Sequence, residues 1–235
     1  MSFKGKRALV TGGSSGIGRV IVEGLYKGGA EVFVLDKLKV DIPGVRVIQV
    51  DLAEWYGTKK VVEEIGDIDL LVNNAGIGIP PTAFGYFDKE GVERTIDVNL
   101  KAPFNISQVV VNRMIKRGCQ GSIVNISSVA SITTIKDNAI YCISKAGLDM
   151  MTKVMALELG PHKIRVNSVN PTIVMTEMGK RFWDPERLAP WTVRTPLGRF
   201  AEVDDIVSAT LFLLSDKACM ITGTALPVDG GYLVS

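Results

Sequence analysis

The chain has 235 residues, of which 46% are hydrophobic, and a mean hydropathy of +0.23, which is enough apolar material for one large α/β core. The formal net charge is only +2 and the basic residues are dispersed among acidic ones, so we expect no nucleic-acid partner. No apolar run approaches the ~18–20 residues of a membrane span, and the first residues lead into a predicted strand without the apolar core of a signal peptide. Three widely spaced cysteines without a CxxC pair favour reduced thiols in a cytoplasmic compartment.

Short runs rich in Val, Ile and Leu alternate with stretches of helical periodicity. The predicted strands are residues 7–11, 31–35, 45–50, 69–73, 122–126, 165–170 and 225–228. The predicted helices are residues 17–28, 54–65, 90–117 with an irregularity near Pro103, 139–159 and 203–214. Nearly continuous apolar strands are typical of parallel sheets covered on both faces. The alternation therefore predicts an α/β fold with a doubly wound parallel sheet of about seven strands, helices on both faces, and a single domain over residues 1–235.

A glycine-rich turn follows the first strand and precedes the first predicted helix. The residues that we assign to a coenzyme site in and beside this turn are Gly12, Ser14, Ser15, Gly16, Ile17 and Gly18. Glycine lets the backbone approach phosphates closely, and the start of the helix offers free N–H groups to an anion. The turn alone is equally consistent with an ordinary tight turn, but the strand before it and the helix after it favour a dinucleotide pyrophosphate site.

The end of the second strand carries the signal for coenzyme choice. Asp36 stands eighteen residues after Gly18, where its carboxylate could accept hydrogen bonds from the adenosine ribose and repel a 2′-phosphate. Ser15 offers no positive charge beside that ribose, so these two residues favour NAD(H). Lys37 favours the opposite choice, because an ammonium group next to Asp36 could bind the 2′-phosphate of NADP(H).

Two further strand ends supply candidate coenzyme contacts. Asp51 follows the third strand and is placed to meet the adenine edge together with Leu52, although a helix-capping role for Asp51 is an equal alternative. The fourth strand ends in the small, hydrogen-bonding residues Asn74, Ala75 and Gly76. A loop that passes close to a coenzyme needs such a composition, so we include them in the site.

Two segments interrupt the alternation. Residues 36–44 are fewer than the ~10–12 that a crossover between parallel strands normally needs, so we expect at most one helical turn there. Residues 171–200 contain several prolines and two tryptophans after the sixth strand, which favours a lid over a substrate; a surface loop without function is the alternative. The single histidine, His162, lies in a predicted turn, so neither a metal site nor a Ser/His/Asp triad is expected.

A tyrosine and a lysine on the helix at 139–159 carry the catalytic signal. Tyr141 and Lys145 are four residues apart and share one face of that helix. A phenol with an ordinary pKa of about 10 is a poor proton shuttle at neutral pH, and a nearby ammonium group would lower that pKa. Ser128 follows the fifth strand, where its hydroxyl could bind a substrate oxygen. Such a pair by itself is commonly a surface pair, but its position after this strand favours general acid/base chemistry.

These motifs together resemble the short-chain dehydrogenase/reductase family over essentially the whole chain. Besides the glycine-rich turn, the matching segments are residues 73–76, 97–100, 128 and 141–145. The resemblance implies a Rossmann-like fold in which Tyr141 is the general acid/base, Ser128 orients the carbonyl, and Lys145 holds the nicotinamide ribose and lowers the tyrosine pKa. It also implies that Asn99 holds a water of a proton relay; a side-chain bond that interrupts the helix is a compatible alternative.

The same resemblance extends to the substrate side. The family's Pro-Gly-x-x-x-Thr motif appears as residues 171–176, with Thr172 in place of the glycine. By resemblance, the motif places Pro171, Val174 and Thr176 in the coenzyme site, with the Val174 backbone and the Thr176 hydroxyl at the nicotinamide carboxamide. Residues 141–142 and 148–179 are similar to dicarbonyl/L-xylulose reductases and related carbonyl reductases, which use NADPH to reduce ketoses and α-dicarbonyls. This chain departs from them at the residues that choose the coenzyme.

The resemblance implies an NAD(P)(H)-dependent oxidoreductase that interconverts a carbonyl and an alcohol on a ketose, polyol or α-dicarbonyl. A ketoacyl-carrier reductase is one alternative and would need a basic docking patch; the arginines that could form it are Arg181, Arg187, Arg194 and Arg199. A catalytically silent coenzyme-binding regulator is a second alternative, disfavoured because the residues of the catalytic motif are all present.

The helix predicted at 139–159 also bears on assembly. Its apolar residues surround it almost completely, whereas a helix that covers a sheet needs only one apolar stripe. A second copy is the expected partner, with the helix at 99–117 alongside. The resemblance adds a second interface through residues 225–235, so we expect a homotetramer, with a dimer as the fallback.

Overall fold

The computed structural model describes residues 1–176 and 185–235, with side chains described for 1–176 and 188–235. The described residues contain one parallel sheet of seven strands in the order β3-β2-β1-β4-β5-β6-β7. The strands are β1 Arg7–Thr11, β2 Glu31–Asp36, β3 Arg46–Gln49, β4 Leu70–Asn73, β5 Gly121–Ile126, β6 Ile164–Pro171 and β7 Ala225–Val228. The sequence order reverses between β1 and β4, which places a crevice at the carboxyl ends of these two strands.

Helices cover both faces of this sheet. The α-helices are α1 Gly16–Lys27, α2 Trp55–Ile65, α3 Lys89–Ile96, α4 Ala102–Arg117, α5 Ala139–Leu159, α6 Pro185–Arg194 and α7 Val203–Leu214. Alternate side chains of β1 enter two different cores: Ala8 and Val10 pack with α1 and α7, whereas Leu9 packs with α2, α4 and the end of α5. The predicted doubly wound parallel fold is confirmed.

The helix predicted at residues 90–117 is divided. A π-helical turn at Asp97–Lys101 separates α3 from α4, and Pro103 lies in the first turn of α4. The prediction of an irregularity was correct, but its centre lies before the proline. Since Pro103 has no backbone N–H, it cannot donate to the carbonyl of Asn99 four residues earlier, and the helix widens at that point.

The two irregular segments differ in outcome. Residues 37–45 contain bends and a turn but no helix, in agreement with the short connection that the sequence predicts. In the proposed lid at 171–200, residues 177–184 lie outside the described residues. The rest of it includes α6, a helix that we did not predict because Pro185 and Pro190 indicated a loop. Across the described part of the chain, no helix has the length and hydropathy needed to cross a membrane.

Candidate active site

One cavity of about 780 Å³ opens at the carboxyl ends of the central strands. All predicted coenzyme residues line it except Ser14, and all predicted catalytic residues line it except Asn99. The cavity therefore joins the glycine-rich turn after β1 to the tyrosine and lysine of α5.

The turn after β1 is tight, and its backbone atoms approach neighbouring segments closely. Gly12 has a φ of +64°, and a Cβ added to it would lie 2.9 Å from the Cα of Ala75. A Cβ on Gly18 would lie 2.2 Å from the carbonyl oxygen of Gly12. These two glycines are therefore required by the closure of the turn itself, which packs the start of α1 against the end of β4.

The start of α1 has the features of an anion site. Ser15 is its N-terminal capping residue but makes no side-chain capping bond, and Gly16, Ile17 and Gly18 line the cavity. The neighbouring Ser14 hydroxyl is buried and has no hydrogen-bond partner among the described residues. Free N–H groups at a helix start and an unsatisfied buried hydroxyl fit a phosphate-bearing coenzyme.

Asp36 lies beside this turn at the end of β2. Its buried carboxylate accepts hydrogen bonds from the backbone N–H groups of Ser14 at 3.0 Å and Leu38 at 2.9 Å. Each oxygen thus keeps capacity for a second donor, because a carboxylate offers about four acceptor sites. Since Asp36 also lines the cavity, it can receive ribose hydroxyls at the position that the sequence indicates.

Asp51 has a partner that the sequence did not predict. Arg94, from α3, donates to both of its carboxylate oxygens at 2.9 Å, and the Ala53 N–H donates at 3.1 Å. Burial opposes ionisation of Asp51, but these hydrogen bonds outweigh it and lower its pKa. Lys37 is 73% exposed along its side chain, with its Nζ 4.0 Å from the same carboxylate. The end of the cavity beside β2 and β3 therefore carries two cations as well as two carboxylates.

The segment after β4 is tied to β1. The side chain of Asn74 donates to the carbonyls of Thr11 at 2.9 Å and Gly12 at 3.0 Å. The hydroxyl of Thr11 accepts the N–H groups of Asn74 and Ala75, both at 3.0 Å. These bonds fix the segment that forms the floor of the cavity. Gly76 leaves space beside Lys145, because a Cβ at residue 76 would lie 3.4 Å from the Lys145 Nζ.

Ser128 and Tyr141 meet on the opposite side of the cavity. Ser128 follows β5, and its hydroxyl accepts the N–H of Ala130 at 3.1 Å. The Ser128 hydroxyl also lies 3.5 Å from the carbonyl of Pro171, and its side chain is near enough to Tyr141 to favour ionisation of the phenol as a hydrogen-bond partner. Burial raises the pKa of Tyr141, and the bond from Ser128 opposes that rise. In the protein without coenzyme the phenol is therefore protonated at neutral pH, a difference from the lowered pKa that we expected from Lys145 alone.

Lys145 is buried beneath the tyrosine. Its Nζ donates to the carbonyl of Ile126 at 2.9 Å and lies 5.7 Å from the centre of the Tyr141 ring. Burial lowers the pKa of Lys145 to about 8, and the carboxylate of Asp149 limits the fall. Most molecules therefore carry a positive charge on Lys145 at pH 7.

The Asn99 side chain is fully engaged within the chain. Its Oδ1 accepts the Ile77 N–H at 2.8 Å, and its Nδ2 donates to the Ile77 carbonyl at 2.9 Å and the Ser144 hydroxyl at 3.1 Å. These bonds run to the segment after β4 and to α5, so they are not the helix-interrupting bond that the sequence left as an alternative. The backbone carbonyl of Asn99 has no donor at Pro103.

The substrate side contains residues that the sequence did not single out. Trp191 and Arg194 of α6 and Tyr232 near the C-terminus line the cavity. The rings of Trp191 and Tyr232 stack with centroids 4.5 Å apart, and Arg194 donates to the Tyr232 hydroxyl at 3.2 Å. The excess of aromatic and basic residues in the lid was the available signal. Among the side chains of residues 1–176 and 188–235, no group of three or more His, Cys, Asp or Glu residues is arranged to hold a metal ion.

Comparison with known proteins gives the family. A family model described as enoyl-(acyl carrier protein) reductase matches residues 12–233. A D-erythrulose reductase of Gallus gallus is 50% identical over 243 aligned positions, covering 100% of this chain and 98% of that protein. An L-xylulose reductase of Mesocricetus auratus is 47% identical, covering 100% and 99%.

The structural comparison agrees. A 3-ketoacyl-(acyl-carrier-protein) reductase of Brucella melitensis, complexed with NADH, superimposes with a TM-score of 0.91 at 31% identity, covering 98% of this chain and 99% of that one. The chain therefore belongs to the short-chain dehydrogenase/reductase family and is an NAD(P)-dependent oxidoreductase acting between carbonyl and alcohol.

Proposed function

We propose that this oxidoreductase reduces a small ketose or α-dicarbonyl, and oxidises the matching alcohol, with Tyr141 as general acid/base. The observation that carries the proposal is that Ser128, Tyr141 and Lys145 line one cavity together with the uncapped start of α1, with the Lys145 Nζ 5.7 Å from the centre of the Tyr141 ring. When bound, a nicotinamide coenzyme supplies or accepts the hydride. The pyrophosphate would lie at the start of α1, the adenosine ribose at Asp36, and the nicotinamide ribose at Lys145.

The side chains divide the proton chemistry between them. In reduction, Ser128 donates a hydrogen bond to the carbonyl oxygen and Tyr141 transfers its hydroxyl proton to that oxygen as negative charge develops. The charge of Lys145 stabilises the phenolate that remains on Tyr141. A water at the Asn99 carbonyl then returns a proton to the phenolate. In oxidation each transfer runs in reverse.

The substrate class is proposed from the relatives and from the cavity. The two relatives described above are named as reductases of D-erythrulose and L-xylulose, both of them ketoses. On the substrate side, the Trp191–Tyr232 stack supplies an apolar wall and Arg194 a hydrogen-bond donor. A wall of this kind beside a donor suits a short polyhydroxylated or dicarbonyl compound.

A ketoacyl-carrier substrate finds less support. Of the four arginines that could form a docking patch, Arg199 is paired with Asp205 at 2.6 Å, and Arg194 is bonded to Tyr232 and to the carbonyl of Ser235. Arg181 and the side chain of Arg187 lie outside the described residues. Both arginines that can be judged therefore make bonds within the chain, and only part of their donor capacity is left for a carrier protein.

For the coenzyme, we propose a preference for NAD(H) over NADP(H). The buried carboxylate of Asp36 lines the cavity at the ribose position, and Ser15 brings no charge to it. Lys37 stays open to the opposite role, but its nearest carboxylate is that of Asp51 rather than of Asp36. NADP(H) is therefore the weaker candidate and not an excluded one.

We further propose one oxidoreductase domain over residues 1–235, with 171–200 as the substrate lid, assembled as a homotetramer or, failing that, a dimer. Large apolar side chains stand exposed on the outer faces of α4 and α5, including Phe104, Ile143, Met150 and Leu157. A second copy would cover them. The three cysteines are free, which suits a reducing cytoplasmic compartment.

A substrate screen tests the proposed function. Absorbance at 340 nm should fall when the reduced coenzyme is mixed with the protein and a ketose or diacetyl, and should rise with the oxidised coenzyme and a polyol. An acetoacetyl thioester is the comparison substrate. Turnover confined to the thioester would contradict the proposed substrate class, and no turnover with any coenzyme form would contradict the activity.

A further inference from the structure

One buried carboxylate has no part in the chemistry described so far. Asp149 lies on α5, one turn beyond Lys145, and is 7% exposed. It accepts hydrogen bonds from the Ser131 hydroxyl at 2.5 Å, the Ser168 hydroxyl at 2.9 Å and the Asn170 amide at 2.7 Å. A buried carboxylate is costly unless donors or cations satisfy it, and here three donors do so.

Two of these donors also hold the backbone of Ser128. The Ser131 hydroxyl lies 2.7 Å from the Ser128 carbonyl, so its proton is shared between that carbonyl and Asp149. The Asn170 amide lies 3.2 Å from the same carbonyl and 2.9 Å from the Ser131 oxygen. Asp149, Ser131, Asn170 and the Ser128 carbonyl therefore form one connected buried network.

Asp149 also acts on Lys145, which lies one turn earlier on α5. Tyr141, Lys145 and Asp149 follow one another at four-residue intervals along one face of α5. The negative charge of Asp149 supports the protonated form of Lys145 against the effect of burial on its pKa. The carboxylate thus lies behind both the lysine and the turn that presents Ser128.

We propose that Asp149 is a positioning residue: through Ser131 and Asn170 it fixes the Ser128 backbone so that the Ser128 hydroxyl faces Tyr141. This inference rests on the proposed role of Ser128. A small displacement of such a hydroxyl is expensive, because catalytic groups lose about 10²-fold in rate for a misplacement of ~1 Å. The network is therefore expected to act on the turnover number and not on coenzyme affinity.

If Asp149 only ties α5 to β6 and does not position Ser128, a different result is expected. Substitution of Ser168 distinguishes these two roles of Asp149. Its hydroxyl donates to the other oxygen of Asp149 and contacts Asn170, but makes no bond to Ser128. Ser168→Ala therefore removes a bond to the same carboxylate without removing a link to the catalytic serine. Ser131→Thr keeps the hydroxyl that Ser131→Ala removes.

The test compares Ser131→Ala, Ser131→Thr, Ser168→Ala, Asp149→Asn and Ser128→Ala in the full chain. Active sites are counted by coenzyme titration, and kcat, KM, coenzyme Kd and Tm are measured. Ser131→Ala and Asp149→Asn should lower kcat per site by about 10–100-fold with coenzyme Kd unchanged. Ser168→Ala should lower Tm comparably while keeping kcat, and Ser131→Thr should recover most of the loss.

The results separate this inference from the function on which it rests. Suppose that Ser128→Ala is inactive. The positioning role alone is then overturned if Ser131→Ala keeps the kcat per site of the unmodified protein, or loses no more of it than Ser168→Ala does. Full turnover by Ser128→Ala would overturn the proposed role of Ser128 and the inference with it. If Asp149→Asn fails to fold, the variants of Ser131 and Ser168 still test the positioning role.

Discussion

Lys145 reaches the end of β5 and not only the tyrosine beside it: its Nζ donates at 2.9 Å to the Ile126 carbonyl while it lies 5.7 Å from the Tyr141 ring centre. The ammonium group is therefore fixed to the sheet, and the tyrosine and lysine keep their relation through two elements, α5 and β5. The cost of this arrangement is the burial of a charge, which lowers the pKa of Lys145 to about 8.

Because burial of the Lys145 charge is unfavourable, removal of this lysine should raise the free energy of unfolding. A fall in pKa from 10.5 to about 8 means that the charged lysine lowers the free energy of unfolding by about 3 kcal/mol at pH 7. Removal of the lysine also loses its hydrogen bond to Ile126, which offsets ~1 kcal/mol of the gain. Lys145→Met should therefore have a higher Tm at pH 7. Between pH 8 and 10.5 the unfolded lysine binds more protons than the folded one, so the unmodified protein gains stability with pH from this group and the advantage of the variant shrinks.

Thermal melts from pH 7 to 10 would measure this effect, with Lys153→Met, an exposed position on the same helix, as the control. A variant less stable than the unmodified protein at pH 7, with a difference independent of pH, would show that the buried ammonium carries no such cost.

Coenzyme preference should follow the charge of Asp36. The unmodified protein should have the higher kcat/KM with NADH. Asp36→Asn, which keeps an acceptor for the Ser14 or Leu38 N–H, should move the ratio towards NADPH by about ten-fold, equivalent to ~1.4 kcal/mol. Steady-state kinetics with both coenzymes give the ratio, and Lys37→Met should move it the other way. A higher kcat/KM with NADPH in the unmodified protein would contradict the assignment.

Self-association should depend on the exposed apolar face of α5. Leu157 is 80% and Met150 59% exposed, and replacing both by Glu should break the contact through this helix, because charges buried without partners prevent association. A tetramer should then fall to a dimer held by residues 225–235, and a dimer should fall to a monomer. Multi-angle light scattering gives the mass of each variant. Leu38→Glu, at a position 56% exposed between β2 and β3 and outside both expected interfaces, should leave the assembly intact. A stable monomer of the unmodified chain at micromolar concentration would refute the proposal.

Local patterns predicted the strands well because runs of β-branched residues bounded by turns are a strong short-range signal. The predicted bounds of β1 and β7 are correct, and each of the other five strands differs by one residue at one or both ends. The helix at Pro185–Arg194 was missed since proline usually ends a helix, whereas Pro185 here is its first residue and Pro190 is accommodated within it.

Long-range pairings were beyond the reach of the sequence. The sequence predicts a coenzyme contact for Asp51, but its partner Arg94, whose Nη2 donates to both carboxylate oxygens, lies forty-three residues away. The raised pKa of Tyr141 likewise depends on how deeply the fold buries the phenol. Asp149 carries no local motif, and its importance follows only from the three donors that β6 and the Ser128 turn bring to it.

The central claim, that Tyr141 transfers the proton, is tested most directly by the turnover of Tyr141→Phe beside the unmodified protein on one confirmed carbonyl substrate. General acid/base groups contribute about 10²–10⁴-fold, so kcat should fall by that factor while coenzyme Kd, followed by fluorescence, stays the same. Near-normal kcat in the phenylalanine variant, with its coenzyme bound, would contradict the account.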